Sequence, residues 1–212
     1  IAVLLTTFAS GTNLMAQSES AVPFLLITPG ARAAGMGEAF VAIADDATAT
    51  YWNPAGLAFQ NDKQISLMHA NWLPQLAPDL FFDYASFILP QKGLGTFGIA
   101  ITYLNLGEQI ITGETDPTEL GRFSSNEFAL AASYGTTLSD NAAVGLSLKY
   151  IRSNLASVGA GLEQGDGKAN ALAFDLGYLH HNLFINRFSL GLNLTNMGPK
   201  VTYIDAAQAD PL

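Results

Sequence analysis

Apolar residues alternate with small or polar ones from residue 64 onward, and a period of two residues is typical of β-strands. Between 97 and 103, large apolar residues take every second position and Gly98, Ala100 and Thr102 lie between them. The same pattern occurs at 128–134, 144–150, 174–178 and 188–194, and less regularly at about 64–72 and 80–90. It predicts about seven strands, each with one strongly apolar face.

The composition narrows the class of sheet. The chain is 49% hydrophobic and only 13% charged, whereas an ordinary soluble domain is about 25% charged. After the first few residues, no apolar run approaches the roughly 20 residues that a transmembrane helix needs. Without such a helix, only a closed β-barrel satisfies its backbone hydrogen bonds inside lipid. Two classes remain open, a lipid-facing β-barrel and an unusually apolar soluble β-sandwich.

Connection lengths and aromatic positions favour the barrel. Short connections at 91–93, 139–141 and 181–184 alternate with longer ones at 73–79, 105–125 and 154–168. A bacterial barrel alternates in this way between periplasmic turns and outer loops. The aromatics of the apolar face lie near strand ends: Tyr103, Phe128, Tyr150 and Phe174 at the outer end, and Phe97, Tyr134, Tyr178 and Phe188 at the inner end. Two such girdles predict an all-β fold, a transmembrane antiparallel β-barrel.

The strand count predicts a larger barrel than this sequence holds. Bacterial single-chain barrels have even strand numbers, and an open edge in lipid leaves unpaired backbone groups. The alternation ends near residue 196, and the chain stops without a closing aromatic strand. We therefore expect residues 64–212 to be the first half of a barrel of about fourteen strands.

The first residues have the pattern of an export signal. An apolar stretch ends in a small residue, Ala16, where signal peptidase could cut. We expect residues 1–16 to be a secretory signal that has lost its first few residues. The alternative is a buried N-terminal helix.

Residues 17–63 do not alternate and are rich in Ala and Gly. Asn53 suits a helix cap and Pro54 a first helical position, so Trp52 is followed by a tight turn. Ala55 and Gly56 then give the turn a small face that packs closely against a wall. The segment is expected to be a small hatch, or plug, in the periplasmic mouth of the barrel. A disordered periplasmic tail is the alternative, which so few charges disfavour.

Several short motifs resemble a known family. They are Pro23-Phe24-Leu25, Ala31-Arg32, Gly35-Met36-Gly37, Asp46-Ala47, Tyr51-Trp52-Asn53-Pro54-Ala55, Trp72-Leu73-Pro74 and Asn196-Met197-Gly198. Together they resemble the PorV/PorQ family of type IX secretion outer-membrane proteins, which are relatives of the FadL-like barrels. The resemblance implies a fourteen-stranded barrel in the bacterial outer membrane. The hatch motif consists of Arg32, Gly35, Gly37, Trp52, Asn53, Pro54, Ala55 and Gly56.

The resemblance also implies a function. A PorV-like protein receives secreted cargo proteins and passes them to the surface attachment machinery. Gly56-Leu57 is closer to the FadL-like pattern, so a transporter of hydrophobic small molecules is the alternative. Expected partners are cargo, secretion-machinery proteins and outer-membrane lipid. A net charge of −9 without a basic cluster argues against nucleic acid.

Catalytic, cofactor and metal sites are not expected. Gly35 and Gly37 lack the third glycine and the preceding strand of a dinucleotide-binding loop. His180 and His181 lie in a predicted turn without metal-ligand spacing. His69 is the one further histidine in the sequence, and these three histidines do not suggest a Ser/His/Asp arrangement. An enzyme, including one that modifies lipid A, is therefore not predicted.

Charged residues provide the remaining hypotheses. The strand phase predicts that Lys149, Arg152 and Asp175 lie in the lumen, where Arg32 of the hatch is a candidate partner for Asp175. The 105–125 loop carries Arg122 as its lone basic residue. Its acidic residues, the candidate cargo-facing set, are Glu108, Glu114, Asp116 and Glu119. They predict an acidic outer rim able to bind a basic surface of a cargo protein.

Overall fold

The computed structural model describes residues 22–75, 77–112, 118–155, 167–184 and 188–199. In these residues seven strands form one antiparallel sheet, and each strand pairs with its neighbours in the chain. The strands are β1 (Gln64–Asn71), β2 (Phe81–Gln91), β3 (Gly95–Thr112), β4 (Glu119–Thr137), β5 (Ala142–Asn154), β6 (Lys168–His180) and β7 (Leu190–Met197). The predicted all-β class and antiparallel order are confirmed, and the sheet is that of a partial β-barrel.

Short helices precede the sheet. They are a first 3-10 helix (Pro23–Leu26), α1 (Ala31–Gly35), α2 (Ala49–Trp52) and a second 3-10 helix (Pro54–Phe59). We refer to residues 22–63 as the N-terminal segment and to the sheet face that it covers as the inner face. No helix in the described residues is long and apolar enough to cross a membrane.

The two faces of the sheet have opposite chemistry. The inner face carries small and polar side chains that the N-terminal segment and the sheet bury, such as Ala131 and Ser147. The outer face carries large apolar side chains such as Ile99 and Leu148, which are 47% and 56% exposed. A soluble sheet buries its apolar face, so this inverted arrangement is the one expected where lipid replaces water.

Strand register shows the height of the apolar band. One outer-face row across the sheet is Leu67, Ala85, Ile101, Leu130, Tyr150 and Leu172, and the next is Ile65, Phe87, Ile99, Ala132, Leu148 and Phe174. A further row contains Leu89, Phe97, Tyr134, Leu146, Leu176 and Leu194. The band from Phe128 to Thr136 on β4 corresponds to about 20 Å of height at a tilt near 40°, similar to the roughly 25 Å of bacterial barrels.

The predicted outer line of aromatic residues runs obliquely across these rows. Tyr103 and Phe128 face each other, whereas Tyr150 lies one row lower and Phe174 two rows lower. Tilted strands in a barrel are staggered by about one residue from one strand to the next. An oblique line in the register is therefore a level line around the barrel.

β3 and β4 extend well beyond their predicted ends. β3 continues to Thr112 and β4 begins at Glu119, so most of the predicted 105–125 loop is a paired β-hairpin. The predicted bounds of this connection are therefore wrong, because both strands extend into it. A register shift between Asn105 and Glu108 changes the phase of β3, and Gly107 within it has a φ of 74°. Such a bulge interrupts the alternation by which a strand is detected.

The connection predicted at 181–184 is also longer than expected. β6 ends at His180 and β7 begins at Leu190. Phe188, predicted to start the strand, precedes it. Residues 185–187 lie outside the described residues.

Candidate functional site

The turn at 52–56 is built by its own sequence. Helix α2 ends at Trp52, and Asn53 is extended, with φ −167° and ψ 106°. Pro54 begins the second 3-10 helix, and Oδ1 of Asn53 accepts a hydrogen bond from the backbone N–H of Ala55 at 3.1 Å. The predicted roles of Asn53 as cap and Pro54 as first helical residue are confirmed.

A row of small inner-face residues receives this turn. In register across β3 to β7 the row consists of Thr96, Gly135, Gly145, Gly177 and Asn193. We call its three glycines the glycine cradle. A Cβ atom at Gly135 or Gly145 would overlap the backbone of Pro54, and one at Gly177 would overlap Oδ1 of Asn53. Glycine therefore allows a backbone-to-backbone approach that any other residue would prevent.

Side-chain amides fix the turn to the cradle. Asn53 is fully buried, and its Nδ2 donates to the carbonyl of Val41 at 2.9 Å and to that of Tyr178 on β6 at 3.1 Å. Asn193 on β7 donates to the carbonyl of Trp52 at 2.8 Å. The carbonyl of Val41 lies in the loop between α1 and α2, that of Trp52 in α2 and that of Tyr178 in β6. The hydrogen bonds therefore join three separate parts of the molecule.

Aromatic residues beside the turn hold the rest of the N-terminal segment. Trp52 donates from Nε1 to the carbonyl of Pro29 at 3.2 Å, and the Tyr51 hydroxyl donates to the carbonyl of Leu25 at 2.9 Å. Burial raises the pKa of Tyr51, which keeps the phenol neutral. Phe40 packs edge-on against Trp52 at 6.0 Å between ring centroids. The first 3-10 helix is thereby tied to α2.

The first 3-10 helix lies farther along the inner face, away from the cradle. Phe24 and Leu25 are buried in one apolar cluster with Phe82, Leu104 and Ile151 of the sheet. The N-terminal segment therefore covers the sheet from the level of the short turns toward its other end.

Arg32 does not reach Asp175, so that predicted pair is wrong. Arg32 hydrogen-bonds Asp45 through both terminal nitrogens and lies 3.5 Å from Asp46. Its hydrogen bonds lower the pKa of Asp45. The guanidinium also lies 5.1 Å from the centroid of the Phe40 ring. This local cluster on the surface of the N-terminal segment satisfies Arg32.

The other predicted hatch residues divide into two groups. Gly56 belongs to the turn, where a Cβ atom would overlap the carbonyl of Ala44. Gly35 and Gly37 lie at the exposed end of α1, where a Cβ atom would meet nothing within 4 Å, although Gly37 has a φ of 62°. The structure thus brings Trp52, Asn53, Pro54, Ala55 and Gly56 together, while Arg32, Gly35 and Gly37 lie outside the cradle.

Asp175 has a different partner. Nζ of Lys149 lies 2.7 Å from its Oδ2, and both side chains are almost fully buried on the inner face. Asp175 also accepts from the backbone N–H of Asn196 at 2.7 Å, where the β6–β7 register shifts. Arg152, predicted beside them, lies on the outer face and is exposed. That prediction is wrong because residues 149 and 152 have opposite phase in a strand.

The acidic hairpin contains its own counter-ion. Arg122 on β4 bonds Glu108 at 2.9 Å and Glu119 at 2.5 Å. Glu114 and Asp116 lie outside the described residues. In the part of the chain that the structure describes, residues 108–111 of β3 pair only with 121–124 of β4, beyond the points where β2 and β5 pair with these strands. The hairpin therefore extends past the sheet as a two-stranded ribbon.

The histidines form no metal site in the described residues, where no group of three or more metal-ligating side chains occurs. His181 packs against Phe59 of the second 3-10 helix at 4.6 Å between ring centroids and lies 3.1 Å from the hydroxyl of Ser189. Burial is the main cause that lowers its pKa. His181 thus forms a contact between the β6–β7 connection and the N-terminal segment.

Comparisons with known proteins agree with this geometry. A family model described as type IX secretion system protein PorV matches residues 13–212. No curated protein matches the chain.

Proposed function

Because the chain belongs to the PorV family of type IX secretion system proteins, we propose that it binds secreted cargo at the outer membrane and passes it to the surface attachment machinery. Proteins of this family are components of type IX secretion at the outer membrane. Membership of the family supports a role in secretion. The sheet and the N-terminal segment support the location in the membrane, the closed periplasmic mouth and the binding of cargo.

The outer face supports a location in the bacterial outer membrane. Exposed leucines and isoleucines continue across neighbouring strands, for example Ile101 and Leu130 or Leu148 and Leu172. In water so large an apolar face would drive association. In a bilayer it is the lipid contact of a barrel wall.

The N-terminal segment supports a hatch. Asn53 and its cradle lie next to the short connections at 92–94 and 138–141, which face the periplasm in bacterial barrels. We propose that residues 17–63 close the periplasmic mouth in this way. A closed mouth suits a protein that receives cargo from a separate translocon.

The β3–β4 hairpin supports cargo binding at the opposite end. It extends past the sheet, and Ile110 on it is 53% exposed. Arg122 neutralises part of the charge of Glu108 and Glu119, so the acidic character proposed for this rim depends also on Glu114 and Asp116. A basic surface on the cargo would bind here with salt-sensitive affinity.

Deletion of the gene tests this function. Type IX cargo should accumulate in the periplasm, uptake of a long-chain fatty acid should be unchanged, and the wild-type gene should restore secretion. Normal secretion together with reduced uptake would favour the hydrophobic transporter instead.

Charge reversal tests the cargo surface. Glu114→Lys with Asp116→Lys should weaken cargo binding to the purified full-length protein at low salt more than at high salt. Asp140→Lys, the same acid-to-lysine change in the exposed turn at the other end, is the control. Unchanged binding in the double variant would exclude the hairpin as the cargo site.

A further inference from the structure

A patch of hydrogen-bond donors lies on the outer face of β5 and β6. Arg152 and Asn170 face each other across these strands, and both are exposed. The hydroxyl of Tyr150 donates to Oδ1 of Asn170 at 2.8 Å. That bond uses Oδ1 of Asn170, so the Nδ2 of the same amide is left to donate to a further acceptor.

The patch lies at the boundary of the apolar band that is farther from the short turns. Tyr150, one row below Arg152, belongs to the outer line of aromatic residues. Below Tyr150 the same strand face continues with Leu148 and Leu146, and above Arg152 it continues with Asn154. Aromatic girdles mark the interface between hydrocarbon and headgroups. Arg152 is thus at the level of lipid headgroups.

The charge of the patch contrasts with that of the chain. The sequence carries 18 acidic and 9 basic residues. On the outer face of β5 and β6, however, none of the residues is acidic. Glu127 and Asp175, the nearby carboxylates of the described strands, are buried on the inner face, where Ser153 and Lys149 bind them. Arg152 therefore lies exposed on the outer face, and the outer faces of β5 and β6 carry no carboxylate that competes for it.

We propose that Arg152 and Asn170 bind the phosphate group of a lipid in the outer leaflet, with its acyl chains against the apolar band at Leu148 and Leu172. The planar guanidinium matches phosphate oxygens with paired donors, which a lysine does not. The proposal depends on the outer-membrane location and is independent of cargo binding.

Native mass spectrometry of the detergent-purified full-length protein tests the ligand class. Phosphatidic acid supplies a phosphate on two acyl chains, diacylglycerol supplies the chains alone, and inorganic phosphate supplies the anion alone. We expect phosphatidic acid to bind about ten-fold or more tightly than either of the others. Equal binding of diacylglycerol would reduce the site to a general lipid contact, and equal binding of inorganic phosphate would make it a free-anion site. Either result overturns the proposal.

Variants at the patch test the residues. Arg152→Gln should weaken phosphatidic acid binding about ten-fold, whereas Arg152→Lys should weaken it less, because the charge remains and only the paired geometry is lost. Lys92→Gln, in the exposed turn at the opposite end, should bind like the wild type. The urea unfolding midpoint of each variant monitors its fold. Wild-type affinity in a folded Arg152→Gln protein would disprove the assignment, as would an equal loss in Lys92→Gln.

Discussion

Gly145 determines at the residue scale how closely the N-terminal segment approaches the sheet. A Cβ atom there would overlap the backbone of Pro54 and Ala55, and neither backbone has space to withdraw, because Asn53 is bonded on both sides. Gly145→Ala should therefore destabilise the full-length protein by about 1–3 kcal/mol, the usual cost of overpacking. Urea-dependent folding into bilayers measures this change.

Gly35→Ala is the matched control for that substitution. A Cβ atom at Gly35 would meet nothing within 4 Å, and its backbone is helical. Its free energy of unfolding should equal the wild-type value or rise slightly, because alanine favours the helix. If Gly145→Ala proved as harmless as Gly35→Ala, the cradle would not hold the turn.

Single residues were predictable from sequence where the cause is local. Asn53 and Pro54 were recognised because capping and the first helical turn depend on adjacent residues. The cradle is not predictable from sequence, since Gly145 and Gly177 differ from other positions only as small residues on the less apolar strand face. The backbone they admit comes from a distant part of the chain. Likewise Arg32 pairs with Asp45 nearby in sequence, a partner that strand phase does not reveal.

At the scale of the strand, β5 has one side that faces lipid. The folding free energy lost when a charge is introduced should therefore depend on how deep in the membrane the residue lies. Leu148 lies within the apolar band and Leu138 in the turn after β4, and both are exposed. Leu148→Arg should cost about 2–4 kcal/mol of folding free energy in bilayers and Leu138→Arg about 0–1. Urea titrations of the two full-length variants compare the same chemical change at two depths. Equal costs would contradict the lipid contact.

The contact between the β6–β7 connection and the second 3-10 helix should depend on pH. Burial lowers the pKa of His181 below its ordinary 6.5, an effect that His180 strengthens and Asp45 opposes. The unfolded chain then takes up the proton first as the pH falls. Above pH 6.5, neutral His181 contributes its full stabilisation of the fold. This stabilisation is lost as the pH falls from 6.5 through the lower pKa that His181 has in the folded protein.

Unfolding measured at pH 7.5 and at pH 5 tests this dependence. The wild-type protein should lose more stability on acidification than the His181→Gln variant. The glutamine replaces the imidazole beside Phe59 with a side chain that does not titrate in this range. Identical pH dependence in both proteins would show that His181 does not couple this contact to pH.

Element boundaries were predictable where the alternation is uninterrupted. β5 was recognised because Val144 to Tyr150 keep one phase. Beyond Asn105 the alternation does not predict the β3–β4 hairpin, because the bulge at Gly107 reverses the phase and the polar residues Glu108 and Gln109 follow. The backbone N–H of Glu108 is bonded instead by Asp79 of the β1–β2 connection, at 2.9 Å, a contact between loops that no periodicity encodes.

For the whole molecule, the decisive feature is that its two ends differ. The glycine cradle and the N-terminal segment lie toward the short turns, whereas the β3–β4 hairpin extends from the opposite end. This polarity supports a closed periplasmic side and a binding surface on the outside. The proposed cargo surface and the proposed lipid-phosphate site therefore both depend on which end of the sheet faces the cell exterior.

Cysteine labelling tests that orientation. These 212 residues contain no cysteine, and in a cysteine-free background of the full-length protein a single introduced thiol reports one position. Pro78 lies in the β1–β2 connection at the hairpin end and Asp140 in the β4–β5 turn at the cradle end, and both are exposed. Pro78→Cys should react with a membrane-impermeant maleimide on intact cells, and Asp140→Cys only after the outer membrane is permeabilised, because the reagent reaches one side alone. Reaction of Asp140→Cys but not Pro78→Cys on intact cells would invert the barrel, moving the N-terminal segment to the outer side and the acidic hairpin into the periplasm.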